Sequence, residues 1–245
     1  LKHEPALLTI FHDPSGHITE SLAQVTTDVA NAYTDKYVLL SEQTHPSVEY
    51  LLSKAGFHLR RIPKRGVADA RRRAAEWASV LPHDYYHYCD LDRLVTWFQT
   101  NKQEIPDIKR NIVKRDYTII GRTAEAFASH PVEWQETEKI ANRVFSIVLG
   151  KDADITAGSC GFSRRAAELI TSQSEAMMTD GEWPMLILNQ WGLSSIGTYE
   201  TAGLQYLEQN KGNSQSDIDA WTVRLKLAYI ISDSISVLTR KEQST

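Results

Sequence analysis

The chain is 245 residues long, 42% hydrophobic, 9% aromatic and 24% charged, with 27 Lys and Arg against 31 Asp and Glu. That supports a sizeable core and excludes a disordered tail, a collagen-like repeat and a disulfide-stapled miniprotein. The net charge of −4 argues against a dedicated nucleic-acid binder, yet it is unevenly spread: residues 54–73 hold eight Lys and Arg and one acid, so the other 225 residues sum to −11.

Cys89 and Cys160 are the only cysteines, with no spacing that suggests a disulfide framework or a zinc site, which predicts a reduced, cytoplasmic protein. No signal-peptide pattern opens the sequence, and no run of about 18 apolar residues suits a membrane span.

The first hundred residues alternate between strand and helix signals. Ala6 to Phe11 reads as a strand ending in the turn cluster His12-Asp13-Pro14-Ser15-Gly16, and Ile18, Leu22, Val25 and Val29 then recur at helical spacing. Tyr37 to Leu40 is a second strand that stops at Ser41-Glu42. A helix follows from about Pro46 to Ala55, with Gly56 placed to end it. Phe57 to Ile62 alternates as a third strand, and Val67, Ala70, Ala74, Trp77 and Leu81 mark the buried stripe of the next helix. Tyr85 to Cys89 is a fourth strand running straight into Asp90-Leu91-Asp92.

The second half is less regular. Tyr117 to Ile120 reads as a strand before Gly121-Arg122. A long helix carrying Trp134, Ile140, Ala141, Val144, Phe145 and Val148 ends at Gly150. Asp154 to Ala157 is predicted as a strand leading to Gly158-Ser159-Cys160-Gly161, and a helix covers Arg165 to about Ser172. Residues 210–217 are polar and turn-rich, and a last helix carries Ile218, Trp221, Leu225 and Tyr229. Its mixed charge favours a core-covering role over a dimer contact or a membrane surface.

Strand–helix repetition predicts a mostly parallel sheet with helices on both faces, and such sheets bind ligands beyond the carboxyl ends of their strands. The polar residues at those ends are Asp13, Glu42, Arg65 and Asp90 with Asp92. Two carboxylates one residue apart at a strand end can share a hard divalent cation and leave positions for phosphate oxygens. Alternatively they are a solvated strand-end cap. Lys64-Arg65 followed by Gly66 and a helix start is a ready anion site, with Arg71 one turn in. For Arg73 a solvated helix surface is favoured.

These residues resemble a family. Gly66-Val67-Ala68-Asp69-Ala70-Arg71-Arg72 before the fourth strand, then Asp90-Leu91-Asp92, is similar to the nucleotide-sugar half of GT-A fold glycosyltransferases, particularly family 2. Arg72 departs from the family's usual Asn, and Ser41-Glu42-Gln43-Thr44 departs from its acid-rich second-strand end, leaving Glu42 as the one acid there. Ala157 to Arg165 resembles the glycine-rich acceptor-side segment. Thr179-Asp180-Gly181-Glu182-Trp183-Pro184 lies where inverting members place an acidic base, here split by Gly181.

The resemblance covers residues 6 to about 190. It implies an α/β, GT-A-like three-layer sandwich in one domain: a nucleotide-sugar half over about 1–100, an acceptor half over about 101–190 and a helical extension over about 191–245. It further implies transfer of a sugar from a nucleoside-diphosphate-sugar to an acceptor hydroxyl, of the inverting type, with Mg²⁺ or Mn²⁺ held by Asp90 and Asp92. Asp180 or Glu182 would be the base. His12, Asp13, Glu42, Arg65, Arg71 and Asp90 would meet the donor, and Gly158, Ser159 and Trp183 the acceptor. The acceptor stays open among saccharides, small molecules and lipid-linked compounds, and with it peripheral membrane association and a homodimer.

The same residues bear on several rival readings. A nucleotidyltransferase should carry a cationic Gly-rich loop after the first strand, where His12 to Gly16 has no Lys or Arg. A dehalogenase-type phosphatase needs Asp-x-Asp there, which Asp13-Pro14-Ser15 does not supply. The split acids at 180–182 keep open an inactive nucleotide-sugar-binding protein or scaffolding paralogue. RNA binding by residues 54–73 runs against the acidic remainder.

Overall fold

The structure is a computed structural model and describes residues 4–207 and 216–242. Strands β1 (Ala6–Phe11), β2 (Lys36–Ser41), β3 (His58–Ile62) and β4 (Tyr85–Cys89) alternate with helices α1 (Thr19–Ala32), α2 (Pro46–Lys54) and α3 (Val67–Val80). Then come α4 (Leu91–Thr100), α5 (Ile105–Ile112), β5 (Tyr117–Arg122), α6 (Ala124–Ala128) and α7 (Val132–Leu149). The chain continues through β6 (Ser159–Ser163), α8 (Arg164–Gln173), α9 (Thr179–Trp191), β7 (Ile196–Thr201) and α10 (Asp217–Glu242). The polar stretch expected at 210–217 lies, but for its last two residues, outside the described residues.

The seven strands form one sheet in the order β3-β2-β1-β4-β6-β5-β7, with β6 antiparallel to both neighbours and every other pair parallel. Alternate strand residues feed two cores. Leu7, Val38 and Leu40 pack under α1, α2, α4 and α5. Leu8, Ile10 and Leu39 pack under α3, α7, α8, α9 and α10. The α/β three-layer expectation therefore holds, with β1 and β4 matching their predicted limits.

Two expectations are corrected. Asp154 to Ala157 is not a strand. Its polar groups are taken up by side chains: Asn142 accepts from the Ile155 N–H at 2.9 Å, and Asp154 receives Arg122. The strand is the next segment, Ser159–Ser163, where a Cβ on Gly161 would come within 2.3 Å of Ile112. Thr179 to Pro184 opens helix α9 and places Pro184 inside it, where the ring removes the N–H that would have bonded the Asp180 carbonyl. On α10 the predicted apolar stripe is the exposed one: Ile218 is 78%, Leu225 57% and Tyr229 68% exposed. The helix instead buries Ala228, Ile231 and Ile235 against α7 and α9. Small size is the reason: Gly181 lies so close to α10 that a Cβ there would sit 2.8 Å from the Ile231 carbonyl oxygen. Among the described residues no helix is long and apolar enough to cross a membrane.

Candidate functional site

At the carboxyl ends of the parallel strands lie two adjoining depressions. The first, a cleft of about 260 Å³, is bounded by the ends of β1, β2 and β3 and the start of α3: Phe11, His12, Ser41, Ile62, Lys64, Arg65, Gly66, Asp90 and Asp92. The second, of about 200 Å³, is bounded by Arg71, Asp90, Arg93, Trp134, Glu138, Gly158, Asp180 and Arg224. Both include Val67 and Asp90, so the two meet over the first turn of α3.

Arg71 is the central group. It is buried, and its guanidinium donates to Asp90 Oδ2 at 2.8 Å, to Asp180 Oδ2 at 2.7 Å and to the Tyr88 hydroxyl at 3.2 Å. Burial opposes its charge, but Asp180 and Asp90 outweigh burial and hold it well above the usual arginine range. The remaining cations of the positive segment disperse. Arg60 lies over Trp77, Arg61 pairs with Glu49, Arg72 donates to the Ala176 carbonyl and Arg73 pairs with Asp69. Lys64 and Arg65 stay exposed at the rim of the first cleft. One cation of the eight thus becomes the hub of the site and two edge the cleft.

The Asp-x-Asp pair divides its work. Asp90 has both oxygens engaged, one by Arg71 and the other by the Tyr88 hydroxyl. Asp92 sits in the first turn of α4, where Oδ1 takes the Arg93 N–H at 2.9 Å and Oδ2 has no hydrogen bond among the described residues. Burial pushes the Asp92 carboxyl up, with Arg93 opposing that shift. Among the described residues no group of three or more His, Cys, Asp or Glu is arranged around a cation position. A carboxylate with one free oxygen still fits a hard divalent ion that takes its other ligands from phosphate and water. Of the Asp-x-Asp pair expected to share a cation, Asp90 thus has each oxygen accepting a hydrogen bond, from Arg71 and Tyr88, and Asp92 keeps Oδ2 without one among the described residues.

The structure redistributes the other expected residues. His12 borders the first cleft and bonds Ser41 Oγ through Nδ1 at 2.7 Å; burial and the charge of Lys64 lower its pKa. Asp13 turns away: its carboxylate accepts the Ser15 hydroxyl and the N–H groups of Gly16 and Ile18, closing the β1–α1 turn. Glu42 is exposed and does not border the cleft; Ser41 occupies that edge instead. Gly158 lies at the second cavity in a left-handed conformation, φ +76°, and a Cβ there would reach within 2.9 Å of Asp90 Oδ2. Ser159 faces inward, donating to the Tyr88 carbonyl and accepting from His87 Nε2.

Of the two expected acids, Asp180 borders the second cavity and Glu182 does not. Glu182 is buried, and its carboxylate accepts the Ser174 hydroxyl and the N–H groups of Glu175 and Ala176, holding the α8–α9 connection. Trp183 is 2% exposed, packed edge-on to Tyr88 and Phe162, and is a core residue rather than a stacking platform. Helical geometry explains both: Asp180 is the second residue of α9, and the two that follow Gly181 turn into the core.

Sequence reasoning missed Arg93, Trp134 as a cavity residue, Glu138 and Arg224. Trp134 is half-buried, with the Arg224 guanidinium 3.2 Å and the Arg93 guanidinium 5.2 Å from its ring centroid. Behind them Arg122 is buried and bonds Asp154 and Glu138, each at 2.7 Å. Burial works against the Asp154 charge, yet Arg122 draws that carboxyl down to about 2. Ninety residues separate Trp134 from Arg224, so no local pattern could have joined them.

No protein-family model matches the chain, and no curated protein sequence matches it. Solved structures do. Glucosyl-3-phosphoglycerate synthase from Mycobacterium tuberculosis, solved with Mn²⁺, uridine diphosphate and phosphoglyceric acid, is 13% identical, with a TM-score of 0.59 over 93% of this chain and 78% of that one. Mannosyl-3-phosphoglycerate synthase from Rubrobacter xylanophilus is 12% identical, with a TM-score of 0.60 over 99% of this chain and 76% of that one. A mycobacterial protein is 13% identical, with a TM-score of 0.63 over 93% and 74%. The chain has the GT-A fold and is similar in architecture to the glucosyl- and mannosyl-3-phosphoglycerate synthases.

Proposed function

We propose that this protein is a glycosyltransferase that moves a sugar from a nucleoside-diphosphate-sugar to an acceptor hydroxyl. The observation that carries the reading is the junction at Asp90 and Val67, which both cavities share, with Asp90 bound to the buried Arg71 that lines the second. The first cleft, with His12, Ser41 and the Lys64-Arg65 rim, would take the nucleotide, and the second the acceptor. The GT-A fold and neighbours solved with a uridine nucleotide support that division.

Transfer needs negative charge stabilised on the leaving diphosphate and a proton removed from the acceptor hydroxyl. Arg71 presents a fixed guanidinium beneath the junction, held in place by Asp90 and Asp180, and Lys64 and Arg65 add charge at the rim. Asp92 Oδ2 would hold Mg²⁺ or Mn²⁺, which when bound supplies Lewis-acid neutralisation of the diphosphate. Asp180 is the acid within the acceptor cavity. Its Oδ2 is bound to Arg71, and its Oδ1, which has no hydrogen bond among the described residues, is the oxygen available to a proton. Inversion at the anomeric carbon follows if Asp180 acts as base, and the anomeric coupling constant of the product reads it directly.

Thermal shifts with UDP, GDP, dTDP and CDP, with and without Mn²⁺, test the reading. A ligand at about a hundredfold over its Kd stabilises by about 2.7 kcal/mol, or roughly 5–11 °C for a chain of this size. One nucleotide class should give that shift with Mn²⁺, and Asp92→Asn should remove the metal-dependent part. No nucleotide response in the wild type, or an undiminished metal effect in the variant, overturns the assignment. Binding without sugar transfer would return the protein to a nucleotide-sugar-binding role.

A further inference from the structure

The second cavity is amphipathic in cross-section. On the side of the sheet its lining is polar, with Asp90 after β4, Arg93 in α4 and Gly158 before β6. On the side of α7 and α10 it is closed by Ala141, Leu227, Ala228 and Ile231, and Met178 joins them just before α9. The charged residues that these helices add are drawn elsewhere: Glu138 binds Arg122, and the Arg224 guanidinium lies on the Trp134 ring. Leu227 and Met178 are half-buried, and Val67, shared with the first cleft, is exposed. The same helix carries apolar surface out of the cavity. Trp221 precedes the cavity-lining Arg224 by three residues and Leu225 precedes Ala228 by three, so each adjoins a lining residue on the helix surface. Trp221 is 41% and Leu225 57% exposed, and Ile218 and Tyr229 extend the stripe. Hydrocarbon surface that runs from the cavity to the outer face of α10 gains nothing from a polyol, and it is stabilised by a ligand that removes it from water.

We propose that the acceptor is an amphiphile: a hydroxyl compound whose head lies at Asp180 and whose hydrocarbon chain runs along the Leu227–Ala228 face of α10 toward Leu225 and Trp221. This rests on the glycosyltransferase reading and names the acceptor class for it. The cavity, of about 200 Å³, has room for the head and the first few carbons, and the exposed stripe takes the carbons that follow. The large apolar residues of α10 that pack against no core residue thereby acquire a partner. They make the last helix a substrate-binding element rather than a cover for the core alone.

Isothermal titration of the full chain with glycerol and its methyl, butyl, hexyl and octyl monoethers tests this, at saturating UDP and Mn²⁺ and with each ether below its micelle concentration. Affinity should rise about fourfold for each methylene buried, equivalent to about 0.8 kcal/mol, and the heat capacity of binding should grow more negative along the series. Leu227→Asn should weaken the hexyl and octyl ethers about tenfold and leave the methyl ether unchanged. Leu225→Asn should weaken the octyl ether alone, because it lies outside the cavity, and the exposed Val80→Asn, at the far end of α3, should change nothing. If Leu227→Asn loses its circular dichroism signal, Leu225→Asn and Trp221→Gln, both at exposed positions, carry the test. Equal affinity across the series, a rise that none of the α10 variants reduces, or one that Val80→Asn reduces as much, overturns the proposal. Phosphatidylcholine vesicles with and without the hexadecyl ether identify the source of the amphiphile. Retention on the ether-bearing vesicles alone places it in a bilayer, and retention on neither, with the series rising, places it in solution. A nucleotide response with a flat series defeats this inference alone. A rising series without any nucleotide response defeats the glycosyltransferase reading and leaves a site for apolar ligands.

Discussion

Replacing Arg71 with Met would remove the cation shared by two carboxylates while keeping most of the side-chain volume. Asp180 would be stranded almost out of reach of water, with its side chain 8% exposed, whereas Asp90, at 22%, would recover part of its hydration. Removing one partner of a buried ion pair costs about 3–5 kcal/mol, and the uneven exposure places this case within that range rather than at twice it. For a chain of this length that is a fall of roughly 6–20 °C in Tm. Urea unfolding followed by tryptophan fluorescence measures the loss directly, provided the m value is unchanged. Adding Asp180→Asn to Arg71→Met removes the stranded charge, so the double variant should recover about 1–3 kcal/mol relative to the sum of the single ones. A loss below about 1 kcal/mol for Arg71→Met, or strict additivity, would show that the bridge seen between α3, β4 and α9 does not hold the site together.

Two further outcomes follow from buried groups outside the cavity. His87 is fully buried between Tyr33 and Ser159, and burial, aided by Lys109, pulls its pKa to about 3. The unfolded chain takes up the proton near pH 6.5, so the stabilisation from neutral His87 is present above that value and declines as pH falls toward 3; at pH 5 about 2 kcal/mol is gone. His87→Gln should flatten the stability–pH curve between pH 6.5 and 4, and an unchanged slope in urea titrations would contradict this. Glu182→Gln should lower stability by about 1–3 kcal/mol, since a neutral amide replaces the carboxylate that caps Glu175 and Ala176, yet leave the nucleotide-dependent shift intact. A variant as stable as the wild type but without sugar transfer would reinstate Glu182 as the base.

The first half of the fold was legible because its strands are continuous apolar runs stopped by turn residues: Ala6 to Phe11 meets Asp13-Pro14-Ser15-Gly16, and Tyr85 to Cys89 meets Asp90. The second half was not, because side chains override the local pattern there. Ile155 and Thr156 read as strand, but their polar atoms are drawn into the Arg122–Asn142 network, and the glycine-bearing Ser159–Ser163 pairs instead. α10 misled for a related reason. Its large apolar residues sit where nothing packs, while Ala228 and Ile231 fit the close crossing at Gly181. In the site, strand-end position singled out Asp13, Glu42, Arg65, Asp90 and Asp92, and the helix start after Gly66 added Arg71. It could not tell an acid that faces the cleft from one that braces a turn, as Asp13 and Glu182 do. Arg93 and Arg224 acquire meaning only once α4 and α10 meet over Trp134.

The reversed direction of β6 has a consequence for altering this protein. Every parallel strand delivers chain to the ligand edge as it ends, whereas β6 does so as it begins, so the segment from Gly150 to Gly158 approaches the cavity and α8 leaves from the far side of the sheet. The two connections are thereby decoupled. Exchanging residues between Gly150 and Ser159 would reshape the wall of the second cavity without touching sheet register, on condition that Asp154 is kept to receive Arg122, Gly158 is kept for its left-handed backbone beside Asp90, and Gly121 stays small enough to let Asp154 approach. A library confined to that loop, rather than one spread over the sheet, is the economical route to a second cavity of different shape.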